Sequence, residues 1–187
     1  AGALADRAFL AGLWLNTLPA FFFGVLDVLA PLALHDEGYG AFAIGAVFLL
    51  AGLVEVGVNP MLGRVSDRRG RRLPIQAALA GSVVTATLLA LVSAPLAIAG
   101  LALAAAVSFG GLFTPGMALV SDRAELAGLA QGLAFGLMNT AWALGALLGP
   151  SLGGALAGWR GDPASYLLCS ALCALTLVAI ARRPRPV

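Results

Sequence analysis

Six long apolar runs, separated by short polar or helix-breaking segments, make up most of the chain. An α-helix needs about 20 mostly apolar residues to cross the hydrocarbon core of a bilayer, and each run is close to that length or longer. The pattern therefore predicts an all-α membrane protein with six transmembrane helices. The predicted spans cover residues 9–34, 41–62, 73–92, 96–120, 124–157 and 164–181.

The segments between the runs carry residues that end or begin helices. Residues 35–38 follow the first run, residues 93–95 separate the third run from the fourth, and residues 159–163 precede the sixth. Asp122 with Glu125 three positions later has the pattern of a capping box, which predicts that the fifth helix begins there. Because these connections are short, neighbouring helices are expected to be antiparallel, with both ends of the chain on one side of the membrane.

Composition favours a membrane protein over a soluble helical bundle. Hydrophobic residues make up 60% of the chain and charged residues 11%, whereas a soluble domain has about 25% charged residues. A soluble bundle could not bury six such runs, so the lipid bilayer is the expected surrounding medium. The chain begins Ala1-Gly2-Ala3 without Met, which indicates a piece of a longer protein or a trimmed chain.

Arginine placement predicts the orientation in the membrane. Every basic residue is Arg, and all but Arg160 fall on one side of the predicted spans. Positive charge is enriched on the cytoplasmic side of membrane proteins, so both termini are expected to be cytoplasmic. The arginines on that side are Arg7, Arg64, Arg68, Arg69, Arg71, Arg72, Arg123, Arg182, Arg183 and Arg185.

The connection between the second and third spans reads GRVSDRRGRR from Gly63 to Arg72. A signal for membrane orientation would need only the arginines, and it does not account for Gly63, Asp67 and Gly70 in this order. We expect the two glycines to permit tight backbone geometry at helix ends. We expect Asp67 to form charge-assisted hydrogen bonds or to cap a helix N-terminus.

This segment resembles the G-x-x-x-D-R-x-G-R-R signature of the major facilitator superfamily, which that family carries between the second and third helices of a six-helix repeat. The resemblance implies that the chain forms one half of such a transporter. It also implies a gating motif that locks cytoplasmic helix ends together in one alternating state and does not bind substrate. The motif residues are Gly63, Asp67, Arg68, Gly70, Arg71 and Arg72. An orientation signal alone is the alternative.

A glycine stripe runs along the fifth span. Residues 145, 149 and 153 are glycines on one helix face, which lets another backbone approach closely, and Pro150 invites a kink. Close helix packing explains this stripe without any function. The spacing also resembles the G-x8-G-x3-G-P-x2-G-G pattern of proton-coupled drug antiporters in the same superfamily, which favours an exporter over an importer. The matching residues are Gly136, Gly145, Gly149, Pro150, Gly153 and Gly154.

Three features favour the C-terminal half of such a transporter. The fourth span lacks the Arg that the fourth helix of an N-terminal repeat typically carries in a proton-linked motif. The Arg-Pro ending resembles a chain terminus. The segment VLAPL at residues 28–32, with DRRGRR after the second span, resembles bacterial second repeats. The glycine pattern is more usual in the N-terminal repeat, so that half is the alternative.

Polar residues inside the spans are costly and are usually functional or paired. Asp27 lies in the outer half of the first span and shares a helix face with Asn16, while Glu55 lies in the second span, one turn before Asn59. These residues are candidates for a proton site or for contacts with a cationic substrate, and interhelical hydrogen bonds are the alternative. The candidate proton or substrate sites are Asp27, Glu55, Asn16, Asn139 and Trp142, although packing is favoured for the last two.

These observations predict transport of a small molecule by alternating access, with proton-coupled efflux as the first hypothesis. The alternatives are a proton symporter that imports a solute and a non-transporting sensor, assembly partner or degenerate half-transporter. The sequence contains no pattern typical of a nucleophile–base pair, a phosphate loop or a metal site, so we expect neither an enzyme nor a metal or cofactor beyond the coupling proton. The expected partners are lipid, substrate and the other six-helix repeat, covalently linked or as a second chain, and not nucleic acid.

Overall fold

The structure is a computed structural model that describes residues 6–182 apart from the side chain of Arg69, and within this range it is almost entirely helical. Six of its helical spans are long and apolar enough to cross a membrane. The prediction of an all-α membrane fold is therefore confirmed. The helices are α1 (Arg7–Asp36), α2 (Ala41–Arg69), α3 (Arg72–Leu91), α4 (Pro95–Ser108), α5 (Phe113–Leu126), α6 (Gln131–Arg160) and α7 (Asp162–Ala181).

The fourth span is interrupted near its centre. A short 3₁₀ turn, Gly110–Leu112, joins α4 to α5. The two glycines present no side chain to the neighbouring helix, and the side chains of Glu55 and Leu62 on α2 pack directly against them. The turn therefore lets α2 approach the fourth span closely at the position of Glu55.

The predicted beginning of the fifth span was wrong. Asp122 lies inside α5, which continues to Leu126, and α6 begins only at Gln131 without a side-chain cap. Gly128 has a φ of 63°, and the amides of Gly128 and Leu129 donate to carbonyls of the last turn of α5. This Schellman motif ends α5 by backbone geometry, which a capping pattern in the sequence does not reveal.

The first and second halves of the bundle repeat the same design. Gly38 ends α1 with hydrogen bonds of the same pattern as those around Gly128. The helix after each of these turns contains a proline, Pro60 in α2 and Pro150 in α6. Both helices end at a glycine of positive φ, Gly70 after α2 and Gly161 after α6. Because one three-helix unit starts on the side where the other ends, the two units have opposite orientations in the membrane.

Helix α1 lies at the centre of the bundle and packs on α6, α5 and α7. Its buried Phe22 stacks on Phe109 with ring centroids 3.6 Å apart. Helices α3 and α7 pack along each other at one side of the bundle. Helix α2 contributes least to the core, since Ala51 and Ser66 are the only buried residues among its described side chains, and one wall of the bundle is consequently uncovered.

The contact between α1 and α6 depends on the glycine stripe. A Cβ atom added at Gly145 would overlap the carbonyl oxygen of Thr17, and one added at Gly149 would overlap that of Phe21. At Gly153 an added Cβ would lie 2.6 Å from a methyl carbon of Val25. The two backbones therefore touch without intervening side chains, as in small-residue packing of membrane helices.

The other two glycines of the pattern do not take part in this contact. A Cβ added at Gly136 or Gly154 would meet no atom within 4 Å. The Thr17 hydroxyl strengthens the α1–α6 contact by donating to the Ala141 carbonyl at 3.0 Å. The packing explanation of the stripe accordingly applies to three of its five glycines.

The α1–α6 contact gives a first testable prediction. Gly149→Ala should destabilise the purified protein by about 1–3 kcal/mol, because the new methyl group can be accommodated only if the two backbones separate. Gly154→Ala is the matched control, and it should be neutral or stabilising by roughly 0.5–1 kcal/mol. Thermal unfolding in detergent measures both, and equal melting temperatures for the two variants would contradict the assignment.

Candidate functional site

The uncovered wall of the bundle contains a cavity of about 460 Å³ between α1, α2, α5 and α6. Two carboxylates, Asp27 and Glu55, face it together with three aromatic residues. The aromatic residues are Phe23, Phe113 and Trp142. This wall therefore combines acidic groups with large apolar surfaces.

A second cavity of about 370 Å³ adjoins the first, and Phe113 and Trp142 line both. Asn16 and Asn139 contribute amides to it, and two methionines add flexible apolar surface. All the polar and aromatic residues that the sequence marked as candidates thus lie on one continuous face. The methionines, Met117 and Met138, and the shared Phe113 were not predicted, because apolar residues within a span carry no sequence signal that distinguishes cavity from lipid.

The two acids differ in their surroundings. The Asp27 side chain is exposed on the cavity wall and has no hydrogen bond or ion pair among residues 6–182. Glu55 is half-buried, and its Oε1 accepts from the Asn59 side-chain amide at 3.5 Å. The Glu55 carboxyl lies so close to Gly110 that a Cβ there would be 3.0 Å away. The 3₁₀ turn therefore makes room for this carboxyl.

The amide residues also differ. Asn16 is buried, and its side-chain amide donates to the Gly12 carbonyl at 2.8 Å within α1. It packs on Gly116 of α5, so it supports helix packing as well as lining the cavity. Asn139 is exposed, and the Trp142 ring is 47% exposed. Both residues line the second cavity, and the choice between packing and substrate contact stays a prediction.

The arginine-rich segment is mostly helical. Gly63, Asp67 and Arg68 lie in the last turns of α2, so the expectation that Gly63 sits at a helix end was wrong. Gly63 has an ordinary helical backbone and faces Thr114 of α5, 3.6 Å from an added Cβ. The real turn is at Gly70, whose φ of 77° favours glycine. The helix extends past residue 62, the predicted end of the span, because that end was predicted from the last apolar residues. A helix can continue through the polar residues that follow an apolar run.

Two arginines of this segment connect helix ends at one end of the bundle. Arg71 forms an ion pair with Asp122 of α5 at 2.6 Å. The Arg72 guanidinium donates to the carbonyls of Ile180 and Ala181 at 3.1 and 2.9 Å, where it satisfies the C-terminus of α7. Helices α3, α5 and α7 are thereby linked at one end of the bundle.

The N-terminus of α1 joins the same end of the bundle. Asp6 caps α1 by accepting from the Ala8 amide at 2.7 Å, and its other oxygen lies 3.9 Å from Nε of Arg123. Asp67 and Arg68 are exposed and make no ion pair or hydrogen bond in the described part of the chain. The expected capping or pairing of Asp67 is thus not seen there. Arg183 and Arg185 lie outside the described residues.

The described residues contain no group of three or more His, Cys, Asp and Glu side chains that could hold a metal ion. Cys169 and Cys173 are buried free thiols in α7. The chemistry of the face is therefore that of two carboxylates, amides and aromatic rings.

Comparison with known proteins gives a family match over most of the chain. Residues 20–187 match the family model described as Major Facilitator Superfamily. The chain is 32% identical over 179 residues to a multi-drug resistance efflux pump PmrA homolog of Lactococcus lactis subsp. lactis, which covers 90% of this chain and 43% of that protein. It is 37% identical over 115 residues to the class G tetracycline resistance protein of Vibrio anguillarum, covering 61% of this chain and 28% of that protein. The chain thus spans less than half the length of these two relatives.

The Arg71–Asp122 pair gives a second prediction. Arg71→Gln and Asp122→Asn should each lower the melting temperature of the purified protein, and the double variant should lose little more than either one. The expected coupling is about 0.2–1 kcal/mol, since both side chains are partly exposed. Arg68→Gln is the matched control and should leave stability unchanged. Strictly additive effects in this double-mutant cycle would show that the pair is not coupled.

Proposed function

This chain belongs to the major facilitator superfamily, and from that premise we propose that it forms one six-helix wall of a transporter that exports a small molecule in exchange for protons. Two carboxylates, Asp27 and Glu55, on a face that α2 leaves uncovered are the observation that carries this proposal. Transporters of this type enclose the substrate between two such repeats, which rock about a central site. The other repeat, in the same polypeptide or in a second chain, is therefore the partner that completes the cavity.

Protons would act on the charge of the cavity wall. A carboxylate in an apolar environment is costly, and a bound proton removes that cost. In the proposed cycle a proton from the outside binds Asp27 or Glu55 as substrate leaves, and the neutral wall favours the return to the inward-facing state. There the proton is released to the cytoplasm, and the negative wall is ready for the next substrate molecule.

Substrate class follows from the lining of the same face. Phe113 and Trp142 offer broad apolar surfaces, and Met117 and Met138 adapt to irregular shapes. Such a lining suits a small amphipathic compound better than a sugar or an inorganic ion. One relative is named a multi-drug resistance efflux pump, which favours export over import for this chain.

We assign the gate to the arginine-rich segment, as the family resemblance implies. Arg71 and Arg72 hold helix ends within this repeat. Asp67 and Arg68 are exposed near the end of α2 and have no partner among the described side chains, which supports a role for them in contacts with the opposite repeat. We propose that they lock the two repeats together on the cytoplasmic side in one of the alternating states.

The membrane orientation follows from the arginines. We propose that both termini are cytoplasmic, in a bacterial plasma membrane, and that the chain is the C-terminal half of the transporter. The outer turn at Gly38 contains His35, Asp36 and Glu37 but no arginine, whereas the turn at Gly70 is surrounded by arginines. This asymmetry matches the rule that positive charge stays inside.

Transport assays test the proton role. The full-length protein is first screened in cells for export of tetracycline and a panel of amphipathic drugs, and an exported compound is then followed in proteoliposomes with an imposed pH gradient. We expect Asp27→Asn or Glu55→Gln to reduce gradient-driven transport by roughly 10²-fold or more, as for loss of a positioned proton-transfer group. Asp36→Asn and Glu37→Gln, in the exposed outer turn, are matched controls that should retain activity. Undiminished transport in the Asp27→Asn/Glu55→Gln double variant would refute the proton role.

Cysteine labelling tests the orientation. In a cysteine-free background, Glu37→Cys should react with a membrane-impermeant maleimide added to intact cells. Arg68→Cys should react only after the membrane is permeabilised, because it lies at the opposite end of α2. The reverse pattern would require the opposite orientation.

A further inference from the structure

Buried polar atoms without partners are concentrated along one line of the structure. Among the described residues, the buried side-chain nitrogen and oxygen atoms that lack a hydrogen-bond partner are Asn59 Oδ1, Ser66 Oγ, Arg71 Nη1 and Ser82 Oγ. The first three lie between Glu55 and Arg71, which directly follows the turn at Gly70. Native proteins pair nearly all such atoms, with ordered water where no protein group is in reach. Three orphans in succession therefore call for a shared explanation.

Helical periodicity places these atoms on one surface. At 3.6 residues per turn, Glu55, Asn59 and Ser66 share a face of α2. Leu62 and Gly63, between them, contact Gly111 and Thr114 of the fourth span. This face of α2 is therefore directed towards the fourth span. We name the contact of Glu55, Asn59 and Ser66 with residues 110–122 of the fourth span the α2–α5 seam.

The α2–α5 seam runs from the cavity to the end of the bundle at Gly70. At its upper end the Glu55 carboxyl lines the cavity and packs on Gly110. At its lower end Arg71 and Asp122 form their ion pair, and both side chains are partly exposed at the cytoplasmic surface. Ser66, only 4% exposed, lies between these ends. The opposite wall contributes small residues, Gly110, Gly111 and Thr114, and no charged group until Asp122.

Protein groups do not account for the orphaned atoms. The Asn59 amide nitrogen is directed to Glu55 at 3.5 Å, which leaves its oxygen for another donor. Several helical Ser and Thr side chains in this protein bond a carbonyl one turn earlier, as Thr140 and Ser151 do, but Ser66 bonds no protein group among the described residues. Its hydroxyl is therefore free to donate and to accept within the seam.

We propose that a file of water molecules occupies the α2–α5 seam and carries protons between Glu55 and the cytoplasm. This inference rests on the proposed proton-coupled function and adds the route by which the proton leaves. The Glu55 O–H bond breaks as the carboxylic acid gives its proton to the first water. Each water then passes one proton onward, and the last releases one to the cytoplasm, so that Glu55 is left as a carboxylate and no other group changes its net charge.

Each orphaned atom has a role in this file. Asn59 Oδ1 accepts from a water near Glu55 and orients it. The Ser66 hydroxyl accepts a proton from one side and donates its own to the other, so it can relay a proton without any net change. Arg71 Nη1 donates to the last water, and Asp122 offsets the positive charge that would otherwise repel the arriving proton. Asp27 is the other titratable group facing the cavity end.

Thiol labelling tests whether the seam is hydrated, independently of transport. Ser66→Cys and Ser82→Cys are compared in the full-length protein with Cys169, Cys173 and any other cysteine replaced by Ala. Ser82 is the matched control because its buried hydroxyl also lacks a partner but belongs to α3 and not to the polar face of α2. The reactive species is the thiolate, which requires a hydrated site, so 2-aminoethyl methanethiosulfonate should modify Ser66→Cys at least about tenfold faster than Ser82→Cys. Equal rates would overturn the proposal.

Transport by valine variants tests the proton route. Ser66→Val fills the seam and removes the relay hydroxyl, and Ser82→Val makes the same change on α3. We expect Ser66→Val to slow gradient-driven transport about tenfold, a smaller loss than removal of a proton-transfer group itself. Its exchange of labelled for unlabelled substrate at equal pH should match that of Ser82→Val, since exchange needs no net proton release.

The two levels of the proposal fail in different ways. If the proposed function is wrong, the unmodified protein itself shows no gradient-driven transport. If only the water file is wrong, the unmodified protein transports normally, and Ser66→Cys labels no faster than Ser82→Cys or Ser66→Val retains the full gradient-driven rate. A Ser66→Val protein that loses exchange together with gradient-driven transport would indicate a structural role for Ser66 and would also overturn the route.

Discussion

The backbone contact of α6 with α1 is the interaction on which the rest of the structure depends. Between helices in lipid there is no hydrophobic driving force, so association depends on close packing and on hydrogen bonds. Gly145 and Gly149 let the α6 backbone reach the carbonyls of Thr17 and Phe21. This fixes the rotation of both helices about their axes. Asp27 on α1 and Trp142 on α6 consequently face the same cavity.

The two three-helix units use equivalent contacts for different purposes. Five positions before the proline, α6 carries Gly145 and α2 carries Glu55. In the α1–α6 contact the glycine is on α6. In the contact of α2 with the fourth span the glycine is on the fourth span, because Gly110 provides the space that the Glu55 carboxyl occupies. The α1–α6 contact is therefore closed by backbone atoms. The α2–α5 seam instead contains the polar side chains of Glu55, Asn59 and Ser66. The same architecture thus provides a close backbone contact on one side and room for an acid on the other.

The sequence predicted the number of spans and the family, because both depend on long-range hydropathy and on an ordered motif. It located helix ends poorly, since α2 continues beyond the bilayer to Arg69 and α5 ends by a backbone motif at Gly128. In-span polar residues could be recognised by their rarity in an apolar run. Their apolar neighbours, such as Phe113 and Met117, could not, because only tertiary packing decides whether such residues face lipid or a cavity. The roles proposed for these residues stay predictions.

Arginines at the end of the bundle near Gly70 have to satisfy two demands at once. Their charge alone predicts the orientation in the membrane, yet their guanidinium groups also need partners. Arg72 finds carbonyls of α7, and Arg71 finds Asp122, so α3, α5 and α7 are joined into one unit. Asp67 and Arg68 gain nothing from this unit, because the last turns of α2 extend beyond it. A repeat that is linked internally and leaves these two charges unpaired in its described part can move as a rigid body. In the proposed transport cycle, the contacts that distinguish the alternating states would therefore be made with the opposite repeat.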